Sequence, residues 1–326
     1  MGILKKLLKV ICIVCSSIFI LFSLLPYFFS TETKELLPNE KPFSNSTFIT
    51  IKNTKIHYRV WMPAGKITHK VFLIHGFSGS TFSYRNNVDD LVEKGSLVIA
   101  IDLPAFGFSD KSDTANYTSD NTFEAINKII TLYDTACAEG FVFIGHSMGA
   151  SVASVYASNF PQHVKSLILI DGLPMENQKD SWLLRYLLSY PPLLRWANVL
   201  TKHYFAKSDK FIELLSSAYS KPADSASADG YLLPFTYKNS GSAIFKMAIA
   251  PSTISLNKEA FKKIPLLIIW GENDTWIPIK AQQSFIKNHP QAKTYVVAQA
   301  GHCPMETKAS EVNKVIAAFI GRTSNE

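Results

Sequence analysis

The chain is 326 residues long, 47% hydrophobic and 18% charged, with a formal net charge of +7 at pH 7. That length suits one large domain with an insertion or two small domains, and the composition is that of a globular chain on the apolar side. Lys5, Lys6 and Lys9 carry part of the charge and no dense Lys/Arg block follows, which argues against nucleic-acid binding; Cys12 and Cys15 lie in an apolar segment, and Cys137 and Cys303, without metal-type spacing, give no disulfide framework.

Val10 to Ser30 contains no charged residue and reaches the ~20 apolar residues a membrane-crossing helix needs. The lysines before it leave the amino end in the cytoplasm and put the rest of the chain across the membrane. The competing reading is a cleaved signal peptide and a secreted or periplasmic product, but Leu-Leu-Pro-Tyr-Phe-Phe-Ser lacks the small residues of a cleavage site. Residues 1–30 therefore read as a single-pass anchor. Residues 31–47, polar and aperiodic with two prolines, read as a tether.

Phe48–Lys52 and Lys55–Trp61 alternate around Asn53-Thr54 and predict an antiparallel hairpin. Buried-type strands then alternate with helices. Strands are expected at Lys70–Ile74, Leu97–Ile101, Phe141–Ile144, Leu167–Ile170, Pro265–Trp270 and Ala292–Val297. Helices are expected at Phe82–Lys94, Thr122–Ala138, Ala150–Ser158, Ala281–His289 and Ala309–Ile320. This order implies an α/β fold: a mostly parallel sheet with helices on both faces. The alternation fails between about Leu173 and Phe261, where apolar runs at Trp182–Tyr190, Leu193–Tyr204 and Phe211–Tyr219 are helix-like. Residues 173–261 read as an inserted helical cap, with a flexible loop at Lys221–Asp229; residues 48–172 and 262–326 form the core.

Chemistry concentrates where strands end. Phe141–Ile144 runs into Gly145-His146-Ser147-Met148-Gly149 and a helix, the strand–turn–helix order of a nucleophile elbow. The turn needs small flanking residues, and the Met148 amide at the helix start faces any oxyanion on Ser147. Val71–Ile74 leads into His75-Gly76-Phe77, whose Phe77 amide is the second expected oxyanion donor. After Leu266–Trp270, Asp274 in Gly271–Pro278 is the expected acid; Asp171, after Leu167–Ile170, is its serious rival and Glu272 a weaker one. His302, in Ala300-Gly301-His302-Cys303-Pro304, is the expected base. His75 and His146 also lie near the site, as a brace of the oxyanion loop and a residue locked in the elbow.

The order Ser147, Asp274, His302 resembles that of the α/β-hydrolase family with a lid or cap, over roughly Phe48 to the carboxyl terminus. Asp102–Ser109 is similar to the family's segment before the elbow strand, with Ala105 where glycine is usual, which puts the bend of that loop in question. The serine argues against haloalkane dehalogenases and epoxide hydrolases, which use aspartate there. An anchor before such a domain resembles membrane-bound monoacylglycerol lipases. The resemblance implies an ester hydrolase acting on acyl esters with an apolar tail, by a Ser-His-Asp acyl-enzyme mechanism without metal or organic cofactor. Two other classes stay open: a small-molecule receptor with slow hydrolysis, and a cofactor-free carbon–carbon bond hydrolase.

Overall fold

A computed structural model describes residues 2–31, 33–37, 40–175 and 182–323. Part of the predicted tether and residues 176–181 at the start of the predicted cap lie outside the described residues. The chain opens with helix α1 (Gly2–Leu24), none of whose residues is buried, and one 3₁₀ turn at Leu25–Phe28. It is the one helix, among the described residues, long and apolar enough to cross a membrane.

Strands β1 (Ser46–Ile51), β2 (Thr54–Trp61), β3 (His69–Ile74), β4 (Ser96–Ile101), β5 (Phe141–His146), β6 (Val164–Ile170), β7 (Leu266–Gly271) and β8 (Lys293–Val297) form one sheet in the order β1-β2-β4-β3-β5-β6-β7-β8. β2 pairs antiparallel with β1 and β4, and the remaining pairs are parallel. The central strands are buried on both faces, which is why they read as continuous apolar runs rather than alternating ones. Phe72 and Ile74 point into one core layer, with Phe123, Ile126 and Tyr156; Val71 and Leu73 point into the other, with Leu91, Val312 and Ile316. The helices supplying those layers are α2 (Val88–Glu93), α3 (Ser119–Tyr133), α4 (Met148–Asn159) and, near the end of the chain, α13 (Ala309–Thr323).

Between β6 and β7 lie α5 (Trp182–Leu188), α6 (Pro191–Leu200), α7 (Ser208–Tyr219), α8 (Ser225–Leu232), α9 (Ser240–Ala248) and α10 (Lys258–Phe261). α11 (Lys280–Lys287) precedes β8, and α12 (Pro304–Thr307) precedes α13.

Several boundaries depart from the sequence expectation, each for a local reason. The hairpin turn sits at Lys52-Asn53, both at positive φ, because Ile51 pairs with Thr54; the expected centre is one residue late. The expected helix Phe82–Lys94 is a 3₁₀ turn at Thr81–Tyr84 followed by α2, because buried Asn87 turns its side chain to Met305 O (3.0 Å) and Asn313 Oδ1 (2.7 Å). The expected helix Thr122–Ala138 begins earlier and stops at Tyr133, beyond which the Asp134 and Cys137 carbonyls accept from the buried Lys70 ammonium at 2.7 and 3.0 Å. Lys221–Asp229 is not a loop throughout: Asp224 accepts from the Ser227 amide (2.7 Å) and caps α8. Ala105 takes φ +75°, so the loop keeps a left-handed bend in spite of the side chain, a strain of about 1–2 kcal/mol. The buried Asp102 carboxylate holds that loop by accepting from the Thr81 and Phe108 amides.

Candidate active site

The elbow is built by crowding. A Cβ on Gly145 would sit 2.3 Å from the Gly149 carbonyl oxygen, and one on Gly149 would sit 2.2 Å from that of Ile74. Only glycine lets β5, α4 and β3 approach this closely. Ser147, between them, has φ +50°, a conformation that costs about 1–3 kcal/mol and persists because its surroundings over-determine it. Its amide donates to Ile170 O at 2.9 Å, tying the turn to β6. Met148 opens α4, so its amide belongs to the first turn, whose N–H groups have no partner within the helix.

His302 Nε2 lies 3.0 Å from Ser147 Oγ, and its Nδ1 lies 2.8 Å from Asp274 Oδ2. The carboxylate acceptor puts the proton on Nδ1 and leaves Nε2 to accept from the serine hydroxyl. Asp274 Oδ1 accepts from the Trp276 and Ile277 amides (2.8 and 3.0 Å), which turns Oδ2 toward the ring. Burial pushes the Asp274 carboxyl up, but the hydrogen bond and charge of His302, with the Ile277 amide, outweigh it and hold the carboxyl below its ordinary value.

The imidazole is fixed from every side. Its backbone amide donates to Ala218 O at the end of α7 (2.7 Å), and its carbonyl accepts from His146 Nε2 (2.8 Å). The Trp276 indole stacks on it at 5.2 Å. Burial, with the adjacent His302 charge, pushes the His146 imidazole down to about 3, so His146 stays neutral and serves as a donor. These supports were not assigned from sequence. Trp276 lies inside the Gly271–Pro278 motif, two residues after Asp274, but its stacking is a tertiary fact.

Asp171, the rival acid, does not meet the imidazole. Its Oδ1 accepts from the Gly271 amide (2.8 Å), and its buried Oδ2 has no hydrogen-bond partner. Burial drives this carboxyl well above its ordinary value, and the negative Asp274 beside it adds to the effect. The two carboxyls are therefore pushed in opposite directions: ionisation is favoured at Asp274 and disfavoured at Asp171. Ligand atoms of Asp171, Asp274 and His302 lie within 4.8 Å of one another, the one grouping among the described residues compact enough for a metal. A cation there would displace the bond between Asp274 and His302. Glu272 is exposed and accepts from the Gln299 amide (2.9 Å), away from the imidazole.

The His75–Phe77 loop lies against the elbow: a Cβ on Gly76 would be 3.0 Å from Ser147 Cβ and 2.7 Å from His146 Nδ1. His75 braces this loop, donating from Nδ1 to Gly76 O (2.7 Å) and accepting at Nε2 from the Leu103 amide (3.0 Å). Burial pushes His75 down and keeps it neutral.

A cavity of about 710 Å³ opens beside Phe77 and Ser78, with Trp196, Leu200, Leu214 and Phe245 among its walls. Met148 lines a separate, smaller cavity of about 150 Å³ with Phe106, Ser151 and Met247. The roof over the larger cavity is held to the core at Glu306. Its carboxylate accepts from Tyr219 of α7 (2.7 Å) and Tyr231 of α8 (2.5 Å) and pairs with Arg85 (2.5 Å). Glu306 lies four residues after His302 and carried no sequence signal.

The family described as alpha/beta hydrolase fold matches residues 70–309 of this chain. A protein of Bacillus subtilis (strain 168) named an uncharacterized hydrolase is 28% identical over 279 residues, 83% of this chain and 96% of its own. A 2-hydroxy-6-oxononadienedioate/2-hydroxy-6-oxononatrienedioate hydrolase of Paraburkholderia phymatum is 24% identical, covering 82% of this chain and 91% of its own. The crystal structure of a membrane phospholipase A superposes with a TM-score of 0.62 at 20% identity, over 99% of this chain and 100% of that one.

Proposed function

This chain belongs to the alpha/beta hydrolase fold family, and from that premise we propose that it is a membrane-anchored serine esterase cleaving lipid-type carboxylic esters, such as a monoacylglycerol. One observation carries the reading: the hydrogen-bonded chain Ser147–His302–Asp274 lies against the His75–Phe77 loop, and Phe77 of that loop lines an apolar cavity of about 710 Å³, within the ~300–1,000 Å³ usual for small-ligand sites.

In this reading the Ser147 hydroxyl attacks the ester carbonyl as His302 takes its proton at Nε2. Asp274 keeps the ring oriented and stabilises the imidazolium. The Phe77 and Met148 amides receive the oxyanion, each such donor contributing about 3–4 kcal/mol. His302 then protonates the departing alcohol, and water releases the acid by the same route.

The cavity walls discriminate between substrate classes. A dienedioate bears two carboxylates and needs cations to receive them. Lys210 is the one lysine or arginine on these walls among the described residues, and it is paired with Glu213 at 3.0 Å. An acyl tail needs only apolar contact, which Leu193, Trp196, Leu200, Leu214 and Phe245 offer.

Retention of α1 as an anchor is supported by its contacts with the cap. Trp196 Nε1 donates to Phe22 O (2.9 Å), and the Arg195 guanidinium donates to Pro26 O and Phe29 O (3.4 and 3.0 Å). A cleaved signal peptide would take these acceptors with it or leave them at a new amino end.

The test is labelling by a fluorophosphonate probe combined with turnover of p-nitrophenyl esters from acetyl to palmitoyl. Sustained turnover rising toward medium or long chains, with both activities absent in Ser147→Ala, is expected. Retained labelling in that variant overturns the nucleophile. A single slow acylation per molecule overturns the esterase in favour of a receptor.

A further inference from the structure

We propose that the outer face of α5 and α6 is a second membrane contact, and that acyl substrates enter the large cavity from the bilayer surface rather than from water. The route into the cavity rests on the esterase reading above; the membrane contact does not.

The first argument is position. Val10–Ser30, the uncharged run that starts directly after Lys9, is the stretch long enough to cross a hydrocarbon core of about 30 Å, so the chain leaves the bilayer near Ser30, beyond the end of α1. The last turns of α1 touch the cap: Phe19 stacks on Tyr190 at 5.8 Å, and Ser23 Oγ lies 2.7 Å from the Tyr190 hydroxyl. Arg195, which donates to Pro26 O and Phe29 O, and His203, whose Nε2 lies 2.9 Å from Ser30 O, are therefore held where the run leaves the bilayer, with Tyr190 and Trp196 set deeper against α1.

The second argument is surface. α5 lies directly before Tyr190, has no buried residue, and reads Trp-Leu-Leu-Arg-Tyr-Leu-Leu. Trp182 is 77% and Tyr186 74% exposed, with Leu183, Leu184 and Leu187 at 50–53%. A patch of this kind on a water-facing surface marks an interaction site. The third is charge. Residues 181–208 contain no Asp or Glu, but contain Arg185, Arg195, Lys202 and Lys207. Basic residues beside apolar and aromatic ones suit a lipid headgroup layer rather than a second copy carrying the same charge.

The fourth argument connects this face to the site. Trp196 both holds α1 and lines the large cavity. Leu200, Tyr204 and Phe205, next along the chain, line the same cavity while remaining 46–55% exposed. The anchored side of the cap thus also forms an apolar rim of the cavity.

The experiment uses the full chain in vesicles of phosphatidylcholine and phosphatidylglycerol containing brominated phosphatidylcholine. Tryptophan emission should be quenched by the bromolipid, and Trp182→Phe should remove a distinct part of that quenching. Quenching of Trp182 by aqueous acrylamide but not by bromolipid overturns the membrane contact. A triple variant Trp182→Ser/Leu183→Ser/Tyr186→Ser should lose about tenfold or more in hydrolysis of a long-chain ester held in the vesicles, with hydrolysis of p-nitrophenyl acetate unchanged. Equal loss on both substrates, or loss on neither, overturns the entry route. A dimer in detergent that the triple variant abolishes, without bromolipid quenching, assigns the face to a second copy instead. If the wild type hydrolyses no ester yet Trp182 is quenched, the esterase reading fails and the membrane contact stands.

Discussion

The strand-end rim around Ser147 and the helices inserted between β6 and β7 are organised by different forces. At the rim, His302 is held by bonds from Asp274, Ala218 and His146 and by a stacked indole, and most of the atoms involved are buried. Across the inserted helices the cavity walls are mostly apolar, several are half exposed, and α7 and α8 are hooked to the core through Glu306. Directional bonds position atoms to tenths of an ångström, as bond-making requires. Apolar contact is tolerant of shape and suits binding a chain of variable length. The difference teaches that a change at the rim should act on rate, and a change at the roof on stability and substrate range.

The largest expected effect tests the rim alone. Asp274→Asn should lower kcat by about 10⁴-fold, through loss of the imidazole's orientation and charge partner, while the melting temperature stays near that of the wild type. A stopped assay on a soluble ester with parallel calorimetry reads both. A silent Asp274→Asn beside an inactivating Asp171→Asn would transfer the acid role.

The next effect tests the roof. Glu306→Ala removes the carboxylate shared by Arg85, Tyr219 and Tyr231, leaving Arg85 with Ser227 and Tyr219 and leaving Tyr231 with Ser83, and should cost about 1–3 kcal/mol in urea unfolding. Glu306→Gln should recover part of that loss. If both variants match the wild type, the hook is ornamental and the cap is held by apolar packing.

The smallest effect lies between the two regions. Burial favours the protonated form of Asp171, which Asp171→Asn imitates, so the variant should cost under about 1 kcal/mol in kcat/KM. Its signature is in stability. A carboxyl whose folded pKa lies above its unfolded value makes stability fall as pH rises from the unfolded value through the folded one. The variant lacks that loss, so its melting temperature relative to the wild type should climb as pH rises from the ordinary carboxyl value of 3.8. A flat difference from pH 4 to 8 would mean that Asp171 is ionised.

Local rules were enough to read the succession of strands and helices along the chain, the elbow motif and the candidate residues from the amino-acid sequence, but not the order of the strands in the sheet. Period-two and buried runs, a Gly-x-Ser-x-Gly turn and strand-end positions are all written within a few neighbouring residues. Helix ends at Tyr133 and Asn87 were not legible, because Lys70 and Asn313, far away in the chain, set them. Nor was the helix after Asp224, whose small polar residues hide a capped start.

The sequence alone therefore determined the α/β framework, the apolar amino end and a short list of strand-end side chains. Which carboxylate reaches the imidazole was decided only by the tertiary structure. Asp171 and Asp274 follow adjacent parallel strands. But Asp171 comes directly after its strand and turns to the Gly271 amide, while Asp274 lies three residues beyond its strand, on a loop that carries it to His302. The contact of α1 with α6 is likewise a matter of packing: Trp196 meets Phe22 across 174 residues of chain, a proximity that no local pattern encodes.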